Sequence, residues 1–324
     1  MPEGPYRWFV YAELALAAVT FVALQFVVAP YGGRHGRGGW GPTVPSRVGW
    51  VVMEAPASLL FVVFFLLGSH RAELVPLLFL ALWLVHYVYR AFVYPFLMRS
   101  GSRMPVVVML LAITFNTLNA WVNARWISQY GTYPAAWLAD PRFWIGVALF
   151  AAGFALNTQS DRTLRRLRSH GQGGYRIPRG GGFRYVSSPN YLGEIVEWTG
   201  WAVATWSLAG AAFALYTAAN LAPRAMANHR WYRETFAEYP RSGERSSRSC
   251  CEAFAGTLVT VVAPTLLTRG RDASCRRASS SGGRAASGRR ARRCRTRSAA
   301  SAPTGSGTPC SCGSTTPTSI TGSR

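Results

Sequence analysis

The sequence predicts an all-α integral membrane protein: a bundle of seven transmembrane helices with a cytoplasmic Arg/Gly-rich cofactor loop. Three observations predict it. Apolar runs of about 20 residues recur through residues 1–240, and a helix rising ~1.5 Å per residue needs about that length to cross ~30 Å of hydrocarbon. The loops between these runs differ sharply in arginine content. One polar stretch, Asn157–Trp198, interrupts the pattern with arginines and two glycine clusters, then returns to an apolar segment carrying Asn190, Glu194 and Glu197.

The chain has two unlike parts. Residues 1–240 hold 20 Arg against 10 acidic residues, while 241–324 hold 15 Arg against 3 and contain all six Cys. There is no Lys, so the +22 charge is carried by arginine, a bias that suggests a GC-rich coding sequence. Met1–Pro5 has Glu3 and no basic stretch, and the first apolar run lacks a clear small-residue cleavage site. That run therefore reads as a retained helix rather than a secretory leader.

The expected spans follow in order. Trp8–Ala29 is the first, and Pro30–Arg47 is a Gly/Arg/Pro loop. Val48–Gly68 is the second, interrupted by Glu54 and Pro56. Ala72–Met98, the third, carries His86, Tyr87, Arg90 and Tyr94. Pro105–Ile127, the fourth, carries Asn116, Asn119 and Asn123, and Phe143–Asn157 is a shorter fifth. Tyr191–Trp206 and Leu208–Pro223 read either as one long helix or as two short spans broken near Ser207–Gly210.

Arginine placement decides between these parities. Seven spans put 4 loop arginines on one side (Arg7, Arg71, Arg125, Arg142) and 15 on the other, whereas six spans give 7 against 12. The positive-inside rule favours seven, with the N-terminus outside and the C-terminus cytoplasmic. In a bacterium this would be the inner membrane.

Residues 241–324 are Ser/Arg/Gly-rich and read as a disordered basic tail. A solvated tail and an arm for anionic lipid or nucleic acid are two readings of it. The preferred reading is an out-of-frame translation, and no nucleic-acid or protein partner is expected. With CGN arginine and TCN serine codons, starting each codon of Glu244–Glu252 on the old third base allows Ala-Leu-Ile-Pro-Phe-Leu-Leu-stop, an apolar ending suited to a membrane protein.

Ionisable groups inside spans are costly and so are functional candidates. Glu54 is the clearest: a carboxyl in hydrocarbon keeps its proton near neutrality and can donate a hydrogen bond. Its plain alternative is a structural Glu satisfied by a neighbouring helix. Tyr87 is a candidate donor to a substrate oxygen or an ordinary buried aromatic. Arg90 and Tyr94 lie three and seven residues further on, on roughly the same face. Asn157, Asp161, Arg165 and Arg168 share a face if their helix continues past the membrane, where Asp161 would orient arginines that bind phosphate bidentately. A positive-inside flank contacting nothing is the alternative. No GxGxxG occurs, so no Rossmann site is expected. Glu194 and Glu197 lack clustered His, so no metal is expected.

Several motifs together resemble the steroid 5α-reductases in order and spacing over roughly residues 45–240. They are EAPASLLF, HYVYRAFVYPFLMRSGSRMP, NTQSDRTLRRLR, GYRIPRGGGFRYVSSPNYLGEIVEW, ATWSLAGAAFAL and NHRWYRETFAEYP. That family ends shortly after the YP motif in a segment like RKALIPF, which the shifted-frame peptide resembles. The resemblance implies a seven-helix enzyme using NADPH to reduce the Δ4 bond of a 3-oxo steroid that enters from the bilayer, with hydride sent to C5. It implies that Glu54 and Tyr87 hold the C3 carbonyl, with Met53, Arg90 and Tyr94 on the substrate side. It assigns Asn157, Asp161, Arg165, Arg168, Tyr175, Arg176, Asn190, Glu194, Glu197, Arg224, Asn228 and Tyr232 to NADPH or its support. Two departures stand out: Met53 replaces the family's usual Gln, and Asn228 replaces a frequent His. The rivals are a membrane methyltransferase of the isoprenylcysteine carboxyl methyltransferase type, using S-adenosylmethionine, and a non-catalytic membrane protein or transporter with Glu54 and Arg90 as a buried pair.

Overall fold

A computed structural model describes residues 4–27, 40–98, 101–169 and 176–239, without the side chains of residues 168 and 169. The basic tail, Tyr175 and the glycines at 171, 173 and 174 lie outside the described residues.

Helix α1 spans Tyr6–Phe26. The short strand β1, Thr43–Pro45, leads into α2, Ser46–Leu66, which continues through Pro56. Helix α3, Leu74–Val88, passes through one wide π turn, Tyr89–Val93, into the short α4, Tyr94–Leu97. Strand β2, Arg103–Pro105, pairs antiparallel with β1 and opens α5, Val106–Arg125, which ends in a second π turn, Trp126–Tyr130. This miniature ladder ties the starts of α2 and α5 together, and the two helices pack side by side. Asp140 caps α6, Pro141–Ser169, by accepting from the Arg142 backbone N–H at 2.8 Å.

Helix α7 is Pro189–Thr205 and α8 is Leu208–Thr235. The two-helix alternative for this region is the observed one. Trp206 adopts a left-handed φ of 44°, and Ser207 Oγ accepts from the Gly210 N–H at 2.9 Å to start α8. Helix α8 does not stop at Pro223 as expected from the sequence, nor is Val48–Gly68 broken at Pro56. A proline removes one donor and crowds one turn, and in both places the surrounding bundle holds the helix through it.

Among the described residues, five helical segments are long and apolar enough to cross a membrane: Tyr6–Phe26, Ser46–Leu66, Leu74–Leu97, Val106–Tyr130 and Pro141–Leu167. The protein is a multi-pass membrane protein, mostly helical. Helix α2 shows the sidedness this requires. Ala57, Phe61 and Phe65 recur every four residues and are buried, while Leu59, Val63 and Leu66 face outward.

Aromatic residues make the core. Trp83 stacks on Phe61 with ring centroids 4.2 Å apart and packs against Trp198 and Trp201. Its indole N–H donates to the Ala57 carbonyl at 2.7 Å, filling an acceptor inside the bundle. Trp201 donates to Asn123 Oδ1 at 2.9 Å.

Helices α6 and α7 approach closely enough for backbone to touch backbone. A Cβ added at Gly153 would fall on the Glu197 backbone nitrogen, and one at Gly146 on that of Ala204. From the other side, a Cβ at Gly193 would lie 2.5 Å from the Asn157 nitrogen, and one at Gly200 would meet Phe150. Small residues at helix contacts are how membrane bundles gain close packing. Here the contact sets Asn157 on α6 directly beside Asn190 and Glu194 on α7.

Candidate active site

The register of α2 against α3 places the first half of the site. Trp83 meets Ala57, and the Arg90 guanidinium lies 5.0 Å from the Trp50 ring. The helices are thus antiparallel, and His86 and Tyr87 fall opposite Met53 and Glu54. Asn116 on α5 completes this corner. Its Nδ2 donates to the Met53 carbonyl at 2.6 Å and to Glu54 Oε2 at 3.3 Å. Tyr87 is buried among Trp83, His86 and Trp198. Its hydroxyl has no hydrogen-bond partner among the described residues. A hydroxyl without a partner, on a residue packed into the interior, is a donor open to one.

The second half is an ionic column. The π turn lets Arg90 point across the bundle, its guanidinium 4.9 Å from the Tyr94 ring. Single π turns are frequent at functional sites. Arg90 Nη1 donates to Asp161 Oδ2 at 3.3 Å, and Nη2 lies 3.6 Å from Glu194 Oε2. Asn190 donates to Asp161 Oδ1 at 3.3 Å, and Asn157 donates to the Asn190 carbonyl at 2.9 Å and to Glu194 Oε2 at 3.4 Å. Arg165 also lies over Tyr94, 5.5 Å from its ring, with Nη1 buried and without a hydrogen-bond partner. Below the column, His86 Nδ1 meets Glu197 Oε1 at 2.8 Å, while Glu197 Oε2 has no partner. Buried ion pairs contribute little net stability, because desolvation cancels much of their Coulomb gain. Such a column is better explained by what it holds in place.

The predicted residues do not all gather there. Asn228 on α8 donates to Ser188 Oγ at 3.2 Å, and Tyr232 is buried with its ring 5.2 Å from Tyr239. Ser187 Oγ bridges His229 Nδ1 at 2.7 Å and the Tyr239 hydroxyl at 2.8 Å. These contacts lock α8 to the turn that starts α7. Arg224 lies half-buried one turn earlier on α8, and Arg176 is exposed. The Arg168 side chain and Tyr175 lie outside the described residues.

Two expectations change. Asp161 is held by Arg90 and Asn190, from other helices, in addition to standing on the arginine face of α6. The Glu54–Arg90 pair that a transporter would use is not formed, because Arg90 turns toward Asp161 and Glu194 and leaves Glu54 to Asn116. Sequence reasoning also passed over His86 and Asn116 as site residues. The signal for Asn116 was present in the polar positions 116, 119 and 123, which recur along one face of a span, whereas the role of His86 shows only in its partner Glu197. Among the described residues, no group of three His, Cys, Asp or Glu is placed to hold a metal ion.

Known proteins match this sequence over about 70% of its length. A family model described as 3-oxo-5-alpha-steroid 4-dehydrogenase matches residues 102–245. The chain is 42% identical over 244 residues to a steroid 5-alpha-reductase of Solanum lycopersicum, covering 74% of this chain and 95% of that one. It is 47% identical over 231 residues to the Arabidopsis thaliana steroid 5-alpha-reductase, covering 69% and 88%. It is 44% identical over 235 residues to 3-oxo-5-alpha-steroid 4-dehydrogenase 1 of Bos taurus, covering 71% and 91%. The chain belongs to the steroid 5-alpha-reductase family. It is accordingly an oxidoreductase acting on a CH–CH bond, not a methyltransferase or a passive membrane protein.

Proposed function

We propose that this protein reduces the Δ4 double bond of a 3-oxo-Δ4-steroid, or a closely related lipid enone, with NADPH, and that hydride reaches C5. The observation that carries the reading is the pairing of two unlike sites in one interior. One is the Tyr87 hydroxyl beside Glu54; the other is the ionic column from Arg90 to Asn157.

The column fits a nicotinamide dinucleotide. Arg165 has a buried N–H without a partner, and a planar guanidinium suits phosphate. Arg165, Arg168, Arg176 and Arg224 would take the phosphates, with Tyr175 beside them. Asn157, Asn190, Glu194 and Glu197 would meet the nicotinamide end, and Asp161 would fix Arg90 between the sites. Asn228 and Tyr232 would hold the α7 turn. When bound, NADPH supplies the hydride.

The chain's own residues prepare the acceptor. Tyr87 donates its free hydroxyl to the substrate's C3 oxygen. Glu54, held by Asn116, shares its proton with the same oxygen. Donors aimed at an oxygen that gains negative charge stabilise the transition state more than the ground state, and most strongly where water is excluded. Electron density drawn toward C3 leaves C5 open to hydride. Met53 brings no donor, and its side chain is buried next to Glu54.

The same reading has seven spans, with α7 and α8 crossing as the last two. The N-terminus then lies outside, and the arginine face lies in the cytosol where the cofactor is. Lipid substrate enters from the bilayer.

NADPH oxidation by detergent-purified protein, with and without a 3-oxo-Δ4-steroid, tests this. Steroid-dependent oxidation is expected. Met53→Gln adds a donor beside Glu54 and should raise kcat/KM about fivefold to tenfold, the worth of one added hydrogen bond. Oxidation indifferent to steroid would refute the substrate assignment, and an unchanged Met53→Gln would remove position 53 from the carbonyl site.

A further inference from the structure

Two buried polar groups are left over by this scheme. Glu13 on α1 is fully buried, and neither carboxyl oxygen has a hydrogen-bond partner. Asn119 on α5 is also fully buried. Its Oδ1 accepts from Asn123 at 2.8 Å, but its Nδ2 donates to nothing. Unsatisfied buried polar groups are destabilising, and a carboxyl inside a span especially so. Retaining an orphan acceptor and an orphan donor is intelligible if something the protein binds satisfies both.

Their placement points the same way. Helix α1 runs antiparallel to α5: the Tyr6 hydroxyl donates to the Val122 carbonyl at 2.9 Å, and Phe9 packs on Trp121 at 4.5 Å. One turn further along α1 brings Glu13 to the level of Asn116 and Asn119. Glu13 is fully buried on the face of α1 that also carries Tyr6, Val10 and Ala17, so it faces the interior of the bundle. Tyr216 in turn stacks on Phe115 at 3.5 Å, next to Asn116. The face of α5 that secures Glu54 through Asn116 therefore also carries Asn119, one turn away.

We propose that Glu13 and Asn119 form a second polar anchor, which binds a ketone or hydroxyl oxygen carried by the lipid enone away from its reacting carbonyl. The inference rests on the enone-reductase reading above. A ketone oxygen there accepts from the Asn119 amide and the Glu13 acid proton. A hydroxyl accepts from Asn119 and donates to Glu13. An apolar group in the same position leaves both protein groups unpaired, and a site built to hydrogen-bond discriminates against such an analogue. Glu13 and Asn119 are thus specificity residues, distinct from the groups that act on C3.

The test compares two 3-oxo-Δ4-steroids, one with a ketone at C17 and one with a methylene there. The ratio of their kcat/KM values does not depend on how much of a variant is folded. Wild type should favour the ketone about tenfold, the value of two modest hydrogen bonds. Glu13→Leu should bring the ratio close to one while the methylene substrate is still reduced. Glu13→Gln, which keeps a donor and an acceptor, should preserve most of the preference. If Glu13→Leu yields no folded protein, Asn119→Leu carries the same comparison. A ratio unchanged in these leucine variants, or rates on both substrates falling in parallel, overturns the anchor. Wild type that reduces neither steroid overturns the enone reading and the anchor with it.

Discussion

Glu54→Gln should lower steroid-dependent NADPH oxidation by about 100- to 1,000-fold, the usual loss when one donor to a developing oxyanion is removed. The change is nearly isosteric, and the Gln carbonyl can still accept from Asn116 Nδ2, now 3.3 Å from Glu54 Oε2. Packing around Met53 and Asn116 is therefore kept. What disappears is an acid proton that can be shared with the C3 oxygen as it gains charge. An amide N–H is a weaker donor and cannot follow that charge. The loss should appear in kcat and kcat/KM together, with NADPH affinity unchanged, which is the pattern of an interaction made only in the transition state. Steady-state kinetics with a separate NADPH fluorescence titration would check it. A variant within threefold of wild type would remove Glu54 from the chemistry.

The second large effect lies away from the reacting carbon. Gly153→Leu places a side chain where α6 meets the Glu197 backbone. Neither helix can give locally, since Gly193, one turn from Glu197, sits equally close to Asn157. The helices must separate, and Asn157 moves off Asn190 and Glu194. Overpacking of this kind costs about 3 kcal/mol, and for a chain of this size that lowers the melting temperature by roughly 6–12 °C. NADPH binding should fall with it. Ala152→Leu is the control: it is the neighbouring residue, but on the outer face of α6, and should change neither. Differential scanning fluorimetry in detergent, run with and without NADPH, separates these outcomes. A Gly153→Leu protein that melts and binds like wild type would mean the close approach is not needed.

Much of this was legible in the sequence, for particular reasons. Glu54 and Arg90 stand out because charged side chains are rare within apolar spans. Asn157, Asp161 and Arg165 share a face at intervals of four, and Asn190, Glu194 and Glu197 at intervals of four and three, so each half of the column could be read alone. That the halves join was not readable from spacing. It depends on Gly153 meeting Gly193 and Gly146 meeting Gly200, pairs 40 and 54 residues apart in the chain, and on Arg90 being swung across by a π turn. Neither leaves a periodic trace.

The same limit hid His86 behind Glu197, a pairing 111 residues apart. It hid the roles of Asn116 and Glu13, because an Asn or a Glu in a span shows its cost but not its partner. Helix ends erred where proline was read as a stop. Pro56 and Pro223 both lie inside helices, since tertiary packing decides whether a lost donor ends a helix or is tolerated.

The most direct test of the central claim follows the hydrogen itself. The purified protein would be given a 3-oxo-Δ4-steroid and NADPH carrying deuterium at the transferable position of the nicotinamide, and the product examined by mass spectrometry and NMR. The expected product is a 5α-reduced 3-ketone with one deuterium at C5 and a solvent hydrogen at C4. Deuterium at C3 of an allylic alcohol would instead show carbonyl reduction. That result would contradict the proposed role of Glu54 and Tyr87, whose task is to hold the C3 oxygen while the carbon–carbon bond is reduced.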